Sequence, residues 1–358
     1  MRILHAVYSL EMGGAEVIVA QLARLHRSQG HDVRIACYSK LGVLGEALRA
    51  EGFEIHVLGE AHPLLTMMRY YKLIRNLEPD VVHCHNVAPT IQASLPARLA
   101  GVRCVLTTRH GFTFDPYPRN EELKYNAAGQ ACDHVVGVCQ VVCDGIAMGG
   151  LAAQDRLRLV YNGALPIVPE RSDEVKRTGF TLLFVGRLEP VKNLTTLLEG
   201  VAYARERVPG LTCWIVGDGS ARAGLEARAA ELGLGETVRF WGMRMDTAAF
   251  FSAADVFVMS SVTEGLPMSL LQAMSLGMPS ILTDVGGMGE VSRLTRSGLL
   301  VPVGDGRAYG EAIVRIATDE ALRAEFSARA KLEYAQRFTL ERMGERYLEL
   351  YRNPVPLA

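Results

Sequence analysis

The chain has 358 residues, 49% of them hydrophobic, and a formal net charge of -1. That length suits two domains with sizeable cores, and the near-neutral balance excludes a global attraction to nucleic acid or to an anionic membrane. The seven cysteines include no Cys-x-x-Cys and suggest neither a disulfide framework nor a zinc site, so reduced, buried thiols in a cytoplasmic protein are expected.

Met1 to Tyr8 holds too short an apolar run for a signal peptide, and no run anywhere reaches the length of a membrane span. Ile3 to Val7 predicts a buried strand. Met12-Gly13-Gly14-Ala15-Glu16 follows, then an amphipathic helix from Val17 to Gln29. Such a glycine pair lets backbone approach a ligand closely; a plain tight turn fits the bare Gly-Gly equally well. Strand signals recur at Val33–Tyr38, Ile55–Leu58, Val81–His85, Val105–Thr108 and Val135–Val138, with helical patterns between them. The alternation predicts a parallel sheet wrapped by helices, with ligands beyond the carboxyl ends of the strands, where Gly13, Gly14, His85, His110 and Gly111 fall. His83 and His85 are expected on opposite sides of their strand, sharing no metal. Thr107 to Phe112 opens a loop rich in aromatics, with Phe112, Phe114 and Tyr117. In Leu64 to Asn76, Arg69, Lys72 and Arg75 recur every three residues. A core-packing helix with a solvated basic face is the main expectation there; a helix lying on a membrane surface is the alternative.

Leu159 to Pro166 closes the first half, and the polar segment 166–179 reads as an interdomain linker. A second alternating series follows: strands at Thr181–Val185, Leu211–Val216, Val238–Trp241, Val256–Met259 and Ser280–Thr283, then a helix from Leu340 to Tyr351. The loop Gly186-Arg-Leu-Glu-Pro-Val-Lys-Asn193 puts Arg187 and Lys192 at a strand's carboxyl end, where charge-assisted bonds suit a diphosphate. Asn193 is placed to cap the next helix. In the stretch Ser260 to Pro279, Glu264-Gly265 is the turn, Pro267 takes the first helical position, Gly277 ends the helix and Pro279 enforces the stop. The N–H groups opening that helix make an anion site, with phosphate the usual guest. No Asp-x-Asp is present to hold a divalent ion.

These runs, with Val285-Gly-Gly and Glu290 downstream, resemble the retaining glycosyltransferases of the GT-B fold, glycosyltransferase family 4 (the group 1 glycosyltransferases). The resemblance extends from Gly13 to the last helix and is weakest at Phe112–Ala131 and Ala61–Asn76, where acceptor contacts are expected. It implies an α/β chain of two facing Rossmann-like domains with parallel sheets. Residues 1–165 would form the acceptor side and 180–338 the nucleotide-sugar domain, with 339–358 a helix returning toward the first domain. It also implies a retaining, metal-independent transfer from a nucleoside-diphosphate sugar, UDP favoured over GDP, to a hydroxyl of a glycan or lipid-linked acceptor in envelope polysaccharide or glycoconjugate synthesis. No cofactor is expected, and peripheral contact with the inner face of a membrane is an open expectation.

Carried over from the family, Arg187 and Lys192 bind the donor diphosphate, Gly13 and Gly14 close over it, Glu264 accepts from sugar hydroxyls and His110 reaches the reacting sugar. Gly186, Gly217, Gly265, Leu266, Pro267 and Met268 line the donor, and backbone near Met243 and Arg244 meets the base. The family pattern is Glu, seven residues, Glu; here Gln272 stands at the second position. A neutral amide is a weaker acceptor for ribose hydroxyls than a carboxylate. Two other readings stay open: a non-hydrolysing nucleotide-sugar 2-epimerase, and a nucleotide-sugar-binding protein with little transferase activity.

Overall fold

The structure, a computed structural model, describes residues 1–111, 119–149 and 154–355. Phe112, Phe114 and Tyr117 lie outside the described residues. The chain divides into two compact units, Met1–Gly163 with Leu340–Ala358, and Ala164–Thr339.

The first unit alternates strand and helix: β1 (Arg2–Val7), α1 (Gly14–Ser28), β2 (Asp32–Cys37), α2 (Gly42–Ala50), β3 (Glu54–Val57), α3 (Pro63–Leu77), β4 (Val81–His85) and α4 (Val87–Leu99). It continues with β5 (Cys104–Arg109), α5 (Arg119–Gly129), β6 (His134–Gly137), α6 (Gln140–Met148) and β7 (Leu157–Leu159). The strands pair in parallel in the order β3-β2-β1-β4-β5-β6-β7. Every residue of β4, β5 and β6 is buried, as a sheet covered on both faces requires.

The second unit holds β8 (Thr181–Val185), α7 (Leu194–Ala204), β9 (Thr212–Val216), α8 (Arg222–Glu231), β10 (Val238–Gly242), α9 (Thr247–Ala253) and β11 (Val256–Met259). Then come α10 (Met268–Ser275), β12 (Ser280–Thr283), α11 (Gly286–Thr295), β13 (Gly298–Val301), α12 (Gly306–Thr318) and α13 (Glu320–Arg337). Its parallel sheet runs β10-β9-β8-β11-β12-β13. The segment between Pro166 and Gly179 is tied to this unit: Ile167 N donates to Ser275 Oγ (3.0 Å), Glu170 N to Ser252 Oγ (3.0 Å), and Arg177 pairs with Asp255.

The last helix, α14 (Leu340–Arg352), belongs to the first unit. Its Tyr347 and Tyr351 are buried, the phenols bonding Thr108 Oγ1 (3.0 Å) and His83 Nδ1 (2.8 Å). All seven cysteines are buried and free, the burial expected of them.

Several local expectations shift. Helix α1 begins at Gly14, so the glycine pair is the helix start itself; Glu16 in the first turn favours that end of the helix dipole. Pro267 is the residue before α10, with extended ψ of 132°, one position earlier than the sequence suggested. Asn193 holds the capping position of α7, but at φ 48° its side chain donates to Thr196 Oγ1 (2.8 Å) and caps no backbone N–H. The edge strands β7 and β13 were not anticipated.

Candidate functional site

In the second sheet the chain order reverses between β8 and β11, and crevices at such switch points are where open α/β sheets bind ligands. The loop after β8 carries Gly186, Arg187 and Lys192; the loop after β11 carries Glu264 and Gly265. They are joined by backbone: Val262 N donates to Val191 O (2.9 Å), and Ser260 Oγ donates to the carbonyls of Lys192 (3.1 Å) and Asn193 (3.0 Å). The Lys192 ammonium donates to Glu264 Oε1, and Ser261 Oγ donates to the same oxygen at 2.7 Å. Only 16% of the Lys192 side chain and 12% of that of Glu264 are exposed, so this pair is held, not solvated. Arg187 is exposed and, among the described residues, makes no hydrogen bond or ion pair. The two predicted cations therefore differ: Lys192 is fixed by Glu264, Arg187 is available.

Close backbone packing makes this edge. Gly217 sits at φ 138°, and a Cβ there would lie 1.9 Å from Gly186 O. Gly286, at φ 49°, would put one 1.9 Å from Glu264 O. Only glycine fits either place, so the glycines of the Gly186, Gly217 and Val285-Gly-Gly runs bring neighbouring loops together. Gly287 N donates to Gly265 O (2.8 Å), holding the turn before α10. The side chains of Leu266 and Met268 are buried, so these residues offer an anion only backbone, as does Gly265. Gln272 lies half-buried one turn into α10 and makes no side-chain hydrogen bond among the described residues.

Arg244 departs from a simple binding role. Its guanidinium is taken by Glu174 (3.1 and 2.9 Å) and Asp246 (2.8 and 2.7 Å), which leaves its backbone as the part able to meet a base. Met243 beside it is exposed.

In the first unit, Gly13 and Gly14 follow β1, and His110 follows β5. A Cβ on Gly14 would meet nothing within 4 Å, consistent with backbone open to a ligand. His110 is placed by Asn86, whose Oδ1 accepts from the His110 backbone N–H at 3.0 Å. Asn86 itself sits at φ 65°, a conformation that a non-glycine residue adopts only where its surroundings enforce it.

The expectation for His83 and His85 is overturned. Residues two apart on a strand share a face, and the two rings lie 3.9 Å apart. His5, opposite His83 in register on β1, joins them, so that one ring nitrogen from each of the three comes within 4.8 Å of the others. His5 Nδ1 bonds His85 Nε2 (3.0 Å), and His85 Nδ1 bonds His110 Nε2 (3.1 Å). Burial holds His110 neutral, its pKa lowered to about 4, and takes His5 down to about 3, with His26 adding to the effect. Sequence reasoning missed His5, Asn86 and Ser261. The period of two on β4 was the signal for His83 and His85 sharing a face; no local signal marked these three.

The chain matches the family model for glycosyltransferase family 4 over residues 12–164 and the model for glycosyl transferases group 1 over residues 170–333. It is 26% identical to the UDP-Gal:alpha-D-GlcNAc-diphosphoundecaprenol alpha-1,3-galactosyltransferase of Escherichia coli, the match covering 98% of this chain and 96% of that one. It is 33% identical to the lipopolysaccharide core biosynthesis glycosyltransferase LpsE of Rhizobium meliloti, over 59% of this chain and 57% of that one. Among solved structures, Anabaena Alr3699/HepE in complex with UDP superposes with a TM-score of 0.87 at 19% identity, covering 98% of this chain and 100% of that one, and so shares its fold. Two parallel Rossmann-like sheets, a last helix packed in the first unit, and two adjoining family matches lead to one assignment: the chain is a GT-B glycosyltransferase of family 4, the group 1 glycosyltransferases.

Proposed function

We propose that the chain transfers a sugar, with retention and without an obligatory metal, from a UDP-sugar to a hydroxyl of a lipid-linked or polysaccharide acceptor. The observation that carries this reading is the gathering of Arg187, Lys192, Glu264 and the start of α10 at the switch point of the second sheet. As the donor bond breaks, negative charge grows on the β-phosphate. Fixed positive groups aimed at that charge lower the barrier most. Arg187, Lys192 and the N–H groups opening α10 supply them, while Glu264 accepts from sugar hydroxyls and orients Lys192. Gln272 takes the ribose position, and Gly186, Gly217 and the backbone at Met243–Arg244 line the rest of the donor. On the first unit, Gly13 and Gly14 offer backbone to the diphosphate, and His110 bonds a hydroxyl of the reacting sugar.

UDP as the base-bearing half is supported by the UDP-Gal named for the Escherichia coli relative and by the UDP and UDP-glucose held by the Anabaena protein. A lipid-linked acceptor is supported by the diphosphoundecaprenol named for the same relative. The reading places the chain in the cytoplasm, in contact with the inner face of a membrane through α3. No helix among the described residues is long and apolar enough to cross one. Helix α3 buries Thr66, Tyr70, Ile74 and Leu77 but exposes Leu64, Leu65, Met68 and Tyr71 beside Lys72 and Arg75. Arg69, counted with those cations from the sequence, instead donates to the carbonyls of Leu58 (2.6 Å) and Gly59 (3.0 Å).

A thermal-shift panel of UDP- and GDP-sugars tests the donor assignment, since a ligand stabilises the fold by mass action. UDP-sugars are expected to raise the melting temperature and GDP-sugars to leave it unchanged; the reverse order would replace the base.

A further inference from the structure

We infer that His85 and His5 act as positioning residues that set the tautomer of His110, so that His110 presents an Nδ1–H donor to the sugar. This rests on the reading of His110 as the residue that meets the sugar.

The three rings form a line: His5 Nδ1 to His85 Nε2 at 3.0 Å, and His85 Nδ1 to His110 Nε2 at 3.1 Å. His5 and His85 are buried. Burial lowers the pKa of each ring of the line, helped at His5 and His85 by neighbouring histidines, so all three are neutral. A neutral imidazole carries one N–H and one lone pair. Two of the three N–H groups must fill the two N···N bonds, and His85 can donate in only one of them. Two arrangements remain. In one, all three rings are Nδ1–H, and the leftover donor is at His110 Nδ1. In the other, all three are Nε2–H, and the leftover donor is at His5 Nε2. Both end nitrogens are buried and have no hydrogen-bond partner among the described residues.

The two ends are not equivalent. His5 Nε2 lies in the core, where a stranded N–H is rarer in proteins than a stranded acceptor and costs the desolvation of a donor. His110 follows β5 at the carboxyl edge, where a ligand oxygen would satisfy the donor. The line therefore runs from His5 to His110, each ring donating through Nδ1. His83 stands outside it, with Nε2 bonding Thr108 Oγ1 and Nδ1 bonding Tyr351 OH, both at 2.8 Å. Those bonds also argue against a metal, because both His83 nitrogens are already engaged.

Nitrogen-15 NMR of the full chain labelled at histidine reads the tautomers directly, with His110→Gln to assign the signals. Nδ1–H at His5, His85 and His110 is expected. Nε2–H at any of the three, or stoichiometric zinc or copper in the purified chain, would overturn the inference. For function, His85→Leu should lower kcat about 10- to 100-fold with donor KM unchanged, and return His110 to Nε2–H. His85→Asn, whose amide can donate to His110 Nε2, should restore much of the rate; equal loss in both variants would overturn the positioning role. His110→Ala separates the two layers. A fall in turnover there with Nε2–H rings in the wild type overturns the line of bonds alone, whereas full turnover removes His110 from the sugar and the positioning role with it.

Discussion

The ammonium of Lys192 donates to Oε1 of Glu264 across 72 residues of sequence, and Ser261 Oγ reaches the same oxygen. A cation suited to phosphate and a carboxylate suited to sugar hydroxyls are thus one unit. In the proposed function, the pairing keeps the carboxylate from repelling a diphosphate, and the second Glu264 oxygen accepts from a sugar hydroxyl.

The pairing separates the two cations experimentally. Arg187→Ala and Lys192→Ala should each lower turnover by about 10²-fold or more, since each removes positive charge from the transition-state phosphate. Their stabilities should differ. Lys192→Ala leaves a largely buried carboxylate with one hydroxyl as partner and should cost on the order of 1–2 kcal/mol, while Arg187→Ala, with no internal partner to lose, should leave the melting temperature unchanged. Thermal unfolding beside steady-state kinetics checks both, and near wild-type rates in both variants would remove the diphosphate from this loop.

Gln272→Glu should tighten binding of UDP by about 1 kcal/mol and change turnover little, because ribose contacts act alike in ground and transition states. Calorimetric titration of UDP into both forms decides it. Unchanged affinity would place Gln272 away from the ribose; weaker binding would mean that its N–H₂ donates to an acceptor there.

Much of this site was legible beforehand because glycine, proline and charge punctuate strand–loop–helix joints. The glycines at 186, 217 and 286 and the stop at Gly277 mark backbone constraints that a sequence shows directly. What was not legible depends on register between distant strands. His5 meets His83 because β1 lies beside β4, a pairing no local pattern reveals. The same-face relation of His83 and His85 was readable, since the strand period is two, and was misjudged. That Lys192 pairs with Glu264, and Arg244 with Glu174 and Asp246, follows from loop packing that charge alone does not specify.

The histidines predict an asymmetric response to acid. All nine precede residue 164, in the first unit, and both tryptophans, Trp214 and Trp241, lie in the second. Burial, foremost, lowers the pKa of His5 to about 3 and of His26 and His110 to about 4, from an ordinary 6.5, and takes His83 and His85 well below it. Folded values below unfolded ones mean that the unfolded chain binds more protons in this window. Their stabilising effect is therefore complete above about pH 6.5 and is lost as pH falls toward 4. Far-UV circular dichroism should show a transition that moves to lower temperature between pH 7 and 5, while tryptophan fluorescence of the second unit moves less. Coincident, pH-independent transitions would show that the rings are not held neutral.

Contact of α3 with a membrane predicts salt-sensitive co-sedimentation with anionic vesicles. Lys72→Glu with Arg75→Glu should abolish it, and Leu64→Ser with Met68→Ser should weaken it at every salt concentration, since exposed apolar side chains add a contribution that salt does not screen. Arg69→Ala should act through local stability because its guanidinium holds the carbonyls after β3. No binding at low salt would leave α3 as a packing helix with a solvated face.

Transfer itself is tested most directly by following UDP release from UDP-galactose and UDP-glucose, with and without a diphosphoundecaprenol-linked sugar, in metal-free buffer, and reading the anomeric configuration of the product by NMR. The account predicts UDP release that depends on acceptor, a new glycosidic bond with the donor's configuration retained, and loss of both in Arg187→Ala. Conversion of the donor sugar without acceptor, inversion at the anomeric carbon, or tight UDP binding with no transfer to any lipid-linked or polysaccharide acceptor would contradict it.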